Sequence, residues 1–386
     1  MFLKPRSSLY FSVITALVFA FNCHAQVIIP APPQLAANAH LLIDAHTGAV
    51  LSEKNADIKL PPASLTKMMT IYIVASAIEQ GQISETDSVN ISVKAWKMGG
   101  SRMFIREGTQ VSILDLMRGV IIQSGNDASV ALAEHIAGSE EAFVDIMNKQ
   151  AARLGMTNTK FQNVTGWPHP EHYTSARDLS VLARALIQNY PEYYKIYSEK
   201  YFSYNGINQT NRNKLLFTDD TVDGIKTGHT DEAGYCLVAS AKRDDMRLIS
   251  VVMGTSSEST RAAESQKLLA YGFRYYKTHK LYSKHEVVNQ TRIWKGQVET
   301  LPLGPSEDVY LTIPRGSEDS LVATITVDKI VEAPVNRDQE LGNVTVELDG
   351  DQLLNITLSA LESVDEAGFF GWLIDTIRLF FLGFLT

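Results

Sequence analysis

Three short words stand in fixed order along the chain: Ser64-Leu65-Thr66-Lys67, Ser124-Gly125-Asn126 and Lys226-Thr227-Gly228. Together they hold the parts of an acyl-transfer site. A serine hydroxyl is a weak nucleophile until a base takes its proton. Three residues further along a helix, Lys67 lies over Ser64 on the same face, within reach of that proton. A serine at a helix start also puts a forming oxyanion beside free backbone N–H groups. An ordinary lysine, with a pKa of ~10.4, is protonated at neutral pH and is no base. Burial and a nearby cation would lower it, and Lys226 is the expected neighbour.

The words differ in specificity. Ser64 is the only serine followed at this spacing by a lysine. The Ser-x-Asn pattern also occurs at Ser88-Val89-Asn90 and Ser203-Tyr204-Asn205. Ser124 is preferred because helical runs flank it, which makes it an interhelical turn able to project into a cleft. A hydroxyl there can pass a proton to a leaving amine, and the Asn126 amide can orient a substrate. Lys226-Thr227-Gly228 occurs once, at the start of a strand pair. Its lysine and threonine offer a cation and a hydroxyl to an anionic terminus, and its glycine lets a peptide lie against the strand.

The elements that must position these residues are legible as periodicity. His40–Leu51 reads as a hairpin turning around Thr47-Gly48. Pro61 and Pro62 precede an apolar helical run over Leu65–Ala77. Helical patterns continue over Ser112–Ile122, Asp127–Ala137, Ala142–Leu154 and Ala176–Gln188. Strands are expected at Tyr235–Ala241 and Arg247–Met253, with a closing helix over Arg261–Tyr276. Helices thus sit between two blocks of strands that share one sheet, an α/β layer arrangement without βαβ regularity. Beyond about residue 280, short β-rich runs alternate with turns such as Pro314-Arg315-Gly316, which predicts a small all-β domain.

Length and composition agree with this layout. At 386 residues two domains are expected, and 45% apolar with 20% charged residues suits a sizeable core. The net charge of −8 argues against a nucleic-acid surface. No phosphate-binding glycine loop, metal-spaced His/Cys cluster or repeat is visible, so no cofactor and no metal are expected. Lys4 and Arg6, the apolar run Leu9–Phe21 and the small residues Cys23 and Ala25 read as a secretory signal cleaved after Ala25. Cys236 then remains alone, in an apolar strand-like run, as a buried small hydrophobe.

The C-terminus carries a second address. On a helix, Gly368, Gly371, Asp375 and Arg378 fall on one stripe, and the rest of the circumference is aromatic or aliphatic. Two charges in mid-segment make a span costly, by ~2.5–3.5 kcal/mol each near the bilayer centre. The expectation is a helix lying in a membrane interface, with Asp375 and Arg378 in water.

The longer strings Pro62-Ala63-Ser64-Leu65-Thr66-Lys67-Met68-Met69-Thr70, Gln123-Ser124-Gly125-Asn126-Asp127-Ala128 and Asp223-Gly224-Ile225-Lys226-Thr227-Gly228-His229-Thr230 resemble the D-alanyl-D-alanine carboxypeptidases, the low-molecular-mass penicillin-binding proteins of Gram-negative bacteria. The resemblance spans the whole mature chain. It implies a penicillin-recognising serine transpeptidase-like catalytic domain over 26–281, with an antiparallel sheet and helices. An all-β domain over 282–366 and an amphipathic anchor helix over 367–386 would follow a signal peptide over 1–25. It implies removal of the terminal D-alanine from the peptidoglycan stem pentapeptide through an acyl-enzyme, with β-lactams as covalent inhibitors. The expected location is the periplasm, on the outer face of the inner membrane.

Residue by residue, the resemblance makes Ser64 the nucleophile, Lys67 the general base and Ser124 the relay towards the departing D-alanine. Asn126 would bond substrate or Lys67. Lys226, Thr227 and Arg261 would face the terminal carboxylate, with Gly228 beside them, and the N–H groups of Ser64 and His229 would form the oxyanion hole. The chain departs from the family at Thr165, where a histidine is common, and in a short Lys94–Phe104 segment. Two alternatives stay open. A serine β-lactamase would need a carboxylate to hydrolyse its acyl-enzyme, and no Glu-x-x-x-Asn word occurs between Gly166 and Asp178. A penicillin-binding sensor or wall-shape scaffold would be acylated without turning over.

Overall fold

The structure is a computed structural model that describes residues 29–382. The signal-peptide reading, with its cleavage after Ala25, lies outside the described residues.

The first half is built on a five-stranded sheet. Its strands are β1 (Ala39–Asp44), β2 (Val50–Lys54), β3 (Val222–Thr230), β4 (Gly234–Arg243) and β5 (Met246–Thr255). They run in the order β2-β1-β5-β4-β3, with every neighbouring pair antiparallel. The N-terminal hairpin is therefore stitched to strands some two hundred residues later, and β3, which carries Lys226, is left at an edge. A polar turn at Asp244-Asp245 joins β4 to β5, as the alternation of apolar and polar residues on either side requires.

Between the two strand blocks lie the helices α1 (Lys67–Glu79), α2 (Ile113–Ile121), α3 (Asn126–Ala137), α4 (Glu140–Arg153) and α5 (Ala176–Asn189). Helix α6 (Glu258–Tyr275) closes the unit. Serines at 112, 139, 175 and 257 cap four of these helices by accepting an N–H three residues on. Each such cap contributes about 1 kcal/mol. Helix α1 is buried on nearly every side, from Met68 and Met69 through Val74 to Ala77. A helix apolar all round belongs inside a core, and this placement carries Lys67, its first residue, out of water.

The second half is all-β. Strands β6 (Tyr276–Tyr282), β7 (Asn289–Trp294), β8 (Thr300–Gly304), β9 (Val309–Pro314), β10 (Leu321–Val327), β11 (Val331–Glu332), β12 (Glu340–Leu348) and β13 (Asp351–Ala360) follow in turn. Six of them form a sheet in the order β10-β12-β13-β8-β7-β11, while β6 pairs with β9. This half meets the first through hydroxyls: Thr278 donates to Asp44 Oδ2 at 2.6 Å, and Thr47 and Thr312 are 2.9 Å apart.

Helix α7 (Phe369–Leu382) ends the described chain. Phe369 and Phe370 are 70% and 78% exposed. The placement of Asp375 corrects the expectation that this residue faces water. Its carboxylate accepts the Lys295 N–H at 2.8 Å and lies 3.6 Å from Arg292, so it docks the helix on the turn after β7. A carboxylate prefers these donors to an apolar interface. Among the described residues no helix is long and apolar enough to cross a membrane.

Candidate active site

Ser64 lies in a single 3-10 turn, Ala63–Thr66, between Pro62 and α1. The turn is clamped from two sides. Gly228 of β3 packs on it: a Cβ at that position would lie 3.0 Å from the Pro62 carbonyl and 3.2 Å from the Ala63 Cβ. The glycine therefore lets the strand close on the turn that carries Ser64, a neighbour the sequence does not name. On the other side Gly166, with φ +84°, approaches so closely that a Cβ would lie 1.8 Å from the Ala63 oxygen. Only glycine fits there. Below the turn, Thr66 bonds His172 Nε2 at 2.9 Å, and Thr70 donates to the Val164 carbonyl at 3.0 Å.

Lys67 is completely buried, and its Nζ meets three oxygens: Ser64 Oγ at 3.0 Å, Asn126 Oδ1 at 2.8 Å and the Thr165 carbonyl at 2.6 Å. Two of these oxygens can only accept. Once the ammonium has lost one proton, its two remaining N–H groups stay on Asn126 and Thr165. The lone pair is left for Ser64, whose O–H then donates to it. Burial lowers the Lys67 pKa to about 7, the charge of Arg212 acts in the same direction, and Asp127 opposes them. The neighbouring cation is thus Arg212, which the sequence reading did not single out. Lys226 is held well below its ordinary value by burial first, then by Lys67, Arg212 and Arg261.

Ser124 sits in the interhelical turn between α2 and α3, with φ +66° and 2% exposure. A left-handed serine costs free energy that its surroundings must offset. Its Oγ is 2.9 Å from Lys226 Nζ. Asn126 opens α3, accepts from Lys67 and donates to the Gly99 carbonyl at 2.7 Å. Next to it, the buried Asp127 carboxylate accepts the N–H groups of Met103, Phe104 and Ile105. That clasp folds the Gly99–Phe104 loop over the mouth of the site. Asp127 is a second residue whose part the sequence reading missed.

The structure brings Lys226, Thr227, Gly228 and His229 to the edge strand beside Ser64. Lys226 and Thr227 are buried, while His229 is exposed with its ring 3.9 Å from that of Tyr235. Arg261 reaches in from α6 and donates to the Gly228 carbonyl at 3.1 Å. It shares a small polar recess with Ser64, Ser124, Arg212 and Thr227. A larger cleft of about 470 Å³ runs from Ser64 the other way, past Asn126, Thr165 and Trp167 to His229 and Glu232. Cys236 faces Gly228 across the β3–β4 ladder. Its thiol is buried and pushed up to about 11 by that burial, so it is inert packing.

An activated serine, a buried lysine partly neutral at pH 7, a second hydroxyl on a second lysine and a cationic recess define a serine acyl-transfer site. The comparisons with known proteins agree. Residues 26–257 match the family model for D-alanyl-D-alanine carboxypeptidase, and residues 276–366 match that for the penicillin-binding protein 5 C-terminal domain. The chain is 43% identical to D-alanyl-D-alanine carboxypeptidase DacA of Escherichia coli strain K12 over 98% of its length and 97% of the relative. It is 45% identical to the DacA protein of Haemophilus influenzae over 90% and 91%. The crystal structure of penicillin-binding protein 5 from Haemophilus influenzae superposes with a TM-score of 0.82, at 44% identity, over 87% of this chain and all of that one. The chain belongs to the D-alanyl-D-alanine carboxypeptidase family. It is a serine-type D-Ala-D-Ala carboxypeptidase, a hydrolase with a two-part fold of the penicillin-binding protein 5 kind.

Proposed function

We propose that the chain removes the terminal D-alanine of the peptidoglycan stem pentapeptide in the following steps. The substrate's terminal carboxylate enters the recess at Lys226, Thr227 and Arg261, where charge-assisted bonds hold it. Its negative charge keeps Lys226 protonated, which reverses the effect of burial on that lysine. Ser64 gives its proton to the Lys67 lone pair while its Oγ attacks the carbonyl between the two D-alanines. The tetrahedral oxyanion is held by the N–H groups of Ser64 and His229. Ser124 delivers a proton to the leaving amine and is re-protonated by way of Lys226 and Lys67. Free D-alanine departs, and an ester to Ser64 remains. Water, deprotonated at the same lysine, cleaves that ester and restores the serine. A β-lactam, an amide with a carboxylate nearby, would take the same path to the ester and stay there.

The single observation that carries this reading is the three-oxygen environment of Lys67 Nζ, which leaves one lone pair and aims it at Ser64. Incubation of the protein with a pentapeptide, followed by mass analysis, tests it: loss of one alanine is expected, and an intact peptide would contradict it.

We further propose an exported protein, cleaved after Ala25, with residues 26–281 as the catalytic domain and 282–366 as a spacer. The helix over 367–386 would rest on the outer face of the inner membrane. The exposed aromatic residues of α7 support the last point, since exposed large apolar side chains call for an apolar partner.

A further inference from the structure

We propose that Asn163 is a positioning residue for Lys67: its carboxamide fixes the turn over residues 163–167 so that the Thr165 carbonyl points at Lys67 Nζ. This inference rests on the reading of Lys67 as the general base. The Asn163 Oδ1 atom accepts from four donors, the N–H groups of Thr165 at 3.1 Å, Gly166 at 2.8 Å and Trp167 at 3.0 Å, and the Thr165 hydroxyl at 3.1 Å. Its Nδ2 donates to the Trp167 carbonyl at 2.9 Å. The turn is wrapped around one side chain, an arrangement that asparagine makes with the backbone just after it.

The consequence falls on the far side of the turn. With the N–H groups of three successive residues gathered inward to Asn163, the carbonyl of Thr165 is directed outward, and it meets Lys67 at 2.6 Å. Lys67 has no exposure to solvent, so no bulk water can replace that carbonyl while the turn is closed. The carbonyl matters in both protonation states. It accepts from the ammonium, and in the neutral amine it holds one of the two N–H groups and so leaves the lone pair to Ser64. The same turn places Gly166 against the Ala63 carbonyl and Trp167 along the substrate cleft. One side chain thus sets the third ligand of the base and one wall of the site.

The charged and titratable groups acting on or lying beside Lys67 are Arg212, Asp127, Lys226 and His172, and none belongs to the turn. Removing the Asn163 carboxamide therefore changes no charge. It lets the carbonyl swing away and water enter, and a hydrated lysine holds its proton more tightly.

The test is the acylation rate of the full-length protein by a fluorescent penicillin, followed across pH 5 to 10 together with thermal unfolding. Asn163→Ala is expected to lower the high-pH plateau by about 10- to 100-fold, as a small misplacement of reacting groups does, and to move the acid limb to higher pH. Asn163→Ser retains a shorter acceptor and is expected to lower the plateau by about threefold or more, with a smaller shift. A folded Asn163→Ala protein with plateau and limb unchanged overturns the proposal, as does a plateau loss with the limb unmoved, which marks a structural role only. If Asn163→Ala does not fold, the Ser variant decides on the same criteria. Wild-type acylation by Lys67→Arg would instead remove the base assignment on which the proposal rests.

Discussion

Lys226 Nζ lies 2.9 Å from Ser124 Oγ, with both side chains almost wholly buried. A Lys226 kept protonated by a bound carboxylate would make that hydroxyl a better proton donor, and the left-handed Ser124 places it in the recess beside Ser64. The relationship supports the proposed role of Ser124 at the departing amine. Ser124→Ala is expected to lower kcat for D-alanine release by about 10²- to 10⁴-fold, the usual range for a positioned proton donor, with KM little changed. Ser124→Gly, which relieves the φ of +66°, should not restore the rate. A kcat within about tenfold of wild type would place the proton elsewhere.

The second prediction concerns pH. A lysine acts as a base only when neutral, and the Lys67 pKa is held at about 7. Acylation should therefore rise with pH through about 7 and level off above it. Lys67→Arg keeps the charge but cannot give up a proton, and should slow acylation by at least ~10²-fold. A flat profile between pH 5 and 9 in the wild type would contradict the assignment.

Carboxylate recognition gives the third. With Thr227 and Arg261 lining one recess and Lys226 bonded to Ser124 on its wall, a C-terminally amidated pentapeptide would lack the charge proposed to meet them. Losing a charge-assisted bond costs about 1.5–3 kcal/mol, so kcat/KM should fall by roughly 10- to 100-fold. Equal values for the acid and the amide would remove all three residues from that role.

Much of this was legible in the residues themselves. The helices over 113–121, 126–137 and 176–189 and the strands over 234–243 and 246–255 lie where apolar periodicity and the Asp244-Asp245 turn put them. Words with distinctive side chains, such as Ser64 with Lys67, announce themselves because the chemistry is in the side chain. What stayed hidden works through the backbone or through distance in the chain. The third ligand of Lys67 is a peptide carbonyl, at Thr165, and any residue has one. Arg212 follows a short hairpin and belongs to no motif, so only the fold brings its charge near Lys67. Gly228 was legible as a close approach, but the neighbour is the turn at Pro62–Ala63 and the sequence could not name it. Asp375 was read from a helical stripe alone, and its partner Lys295 lies just after β7, eighty residues earlier.

The fourth prediction concerns the C-terminal helix. Its exposed surface is dominated by Phe369, Phe370, Phe380 and Phe381, and Arg378 is already near Asp375 at 3.6 Å. Apolar burial, rather than attraction to anionic lipid, should then hold the protein on membranes. High salt should leave it bound, since salt screens charge and does not weaken apolar burial. Truncation after Ala367 should release a protein that still cleaves a soluble pentapeptide. A truncated protein that still sediments with membranes would place the anchor elsewhere.

The most direct test of the central claim is the Ser64→Ala protein with two readings on one folded sample: intact mass after exposure to a penicillin, and release of D-alanine from a pentapeptide. The account predicts no mass increase and no release above the uncatalysed rate, with thermal unfolding close to wild type. A covalent adduct on the variant, or D-alanine released at the wild-type rate, would show that the chemistry does not pass through Ser64.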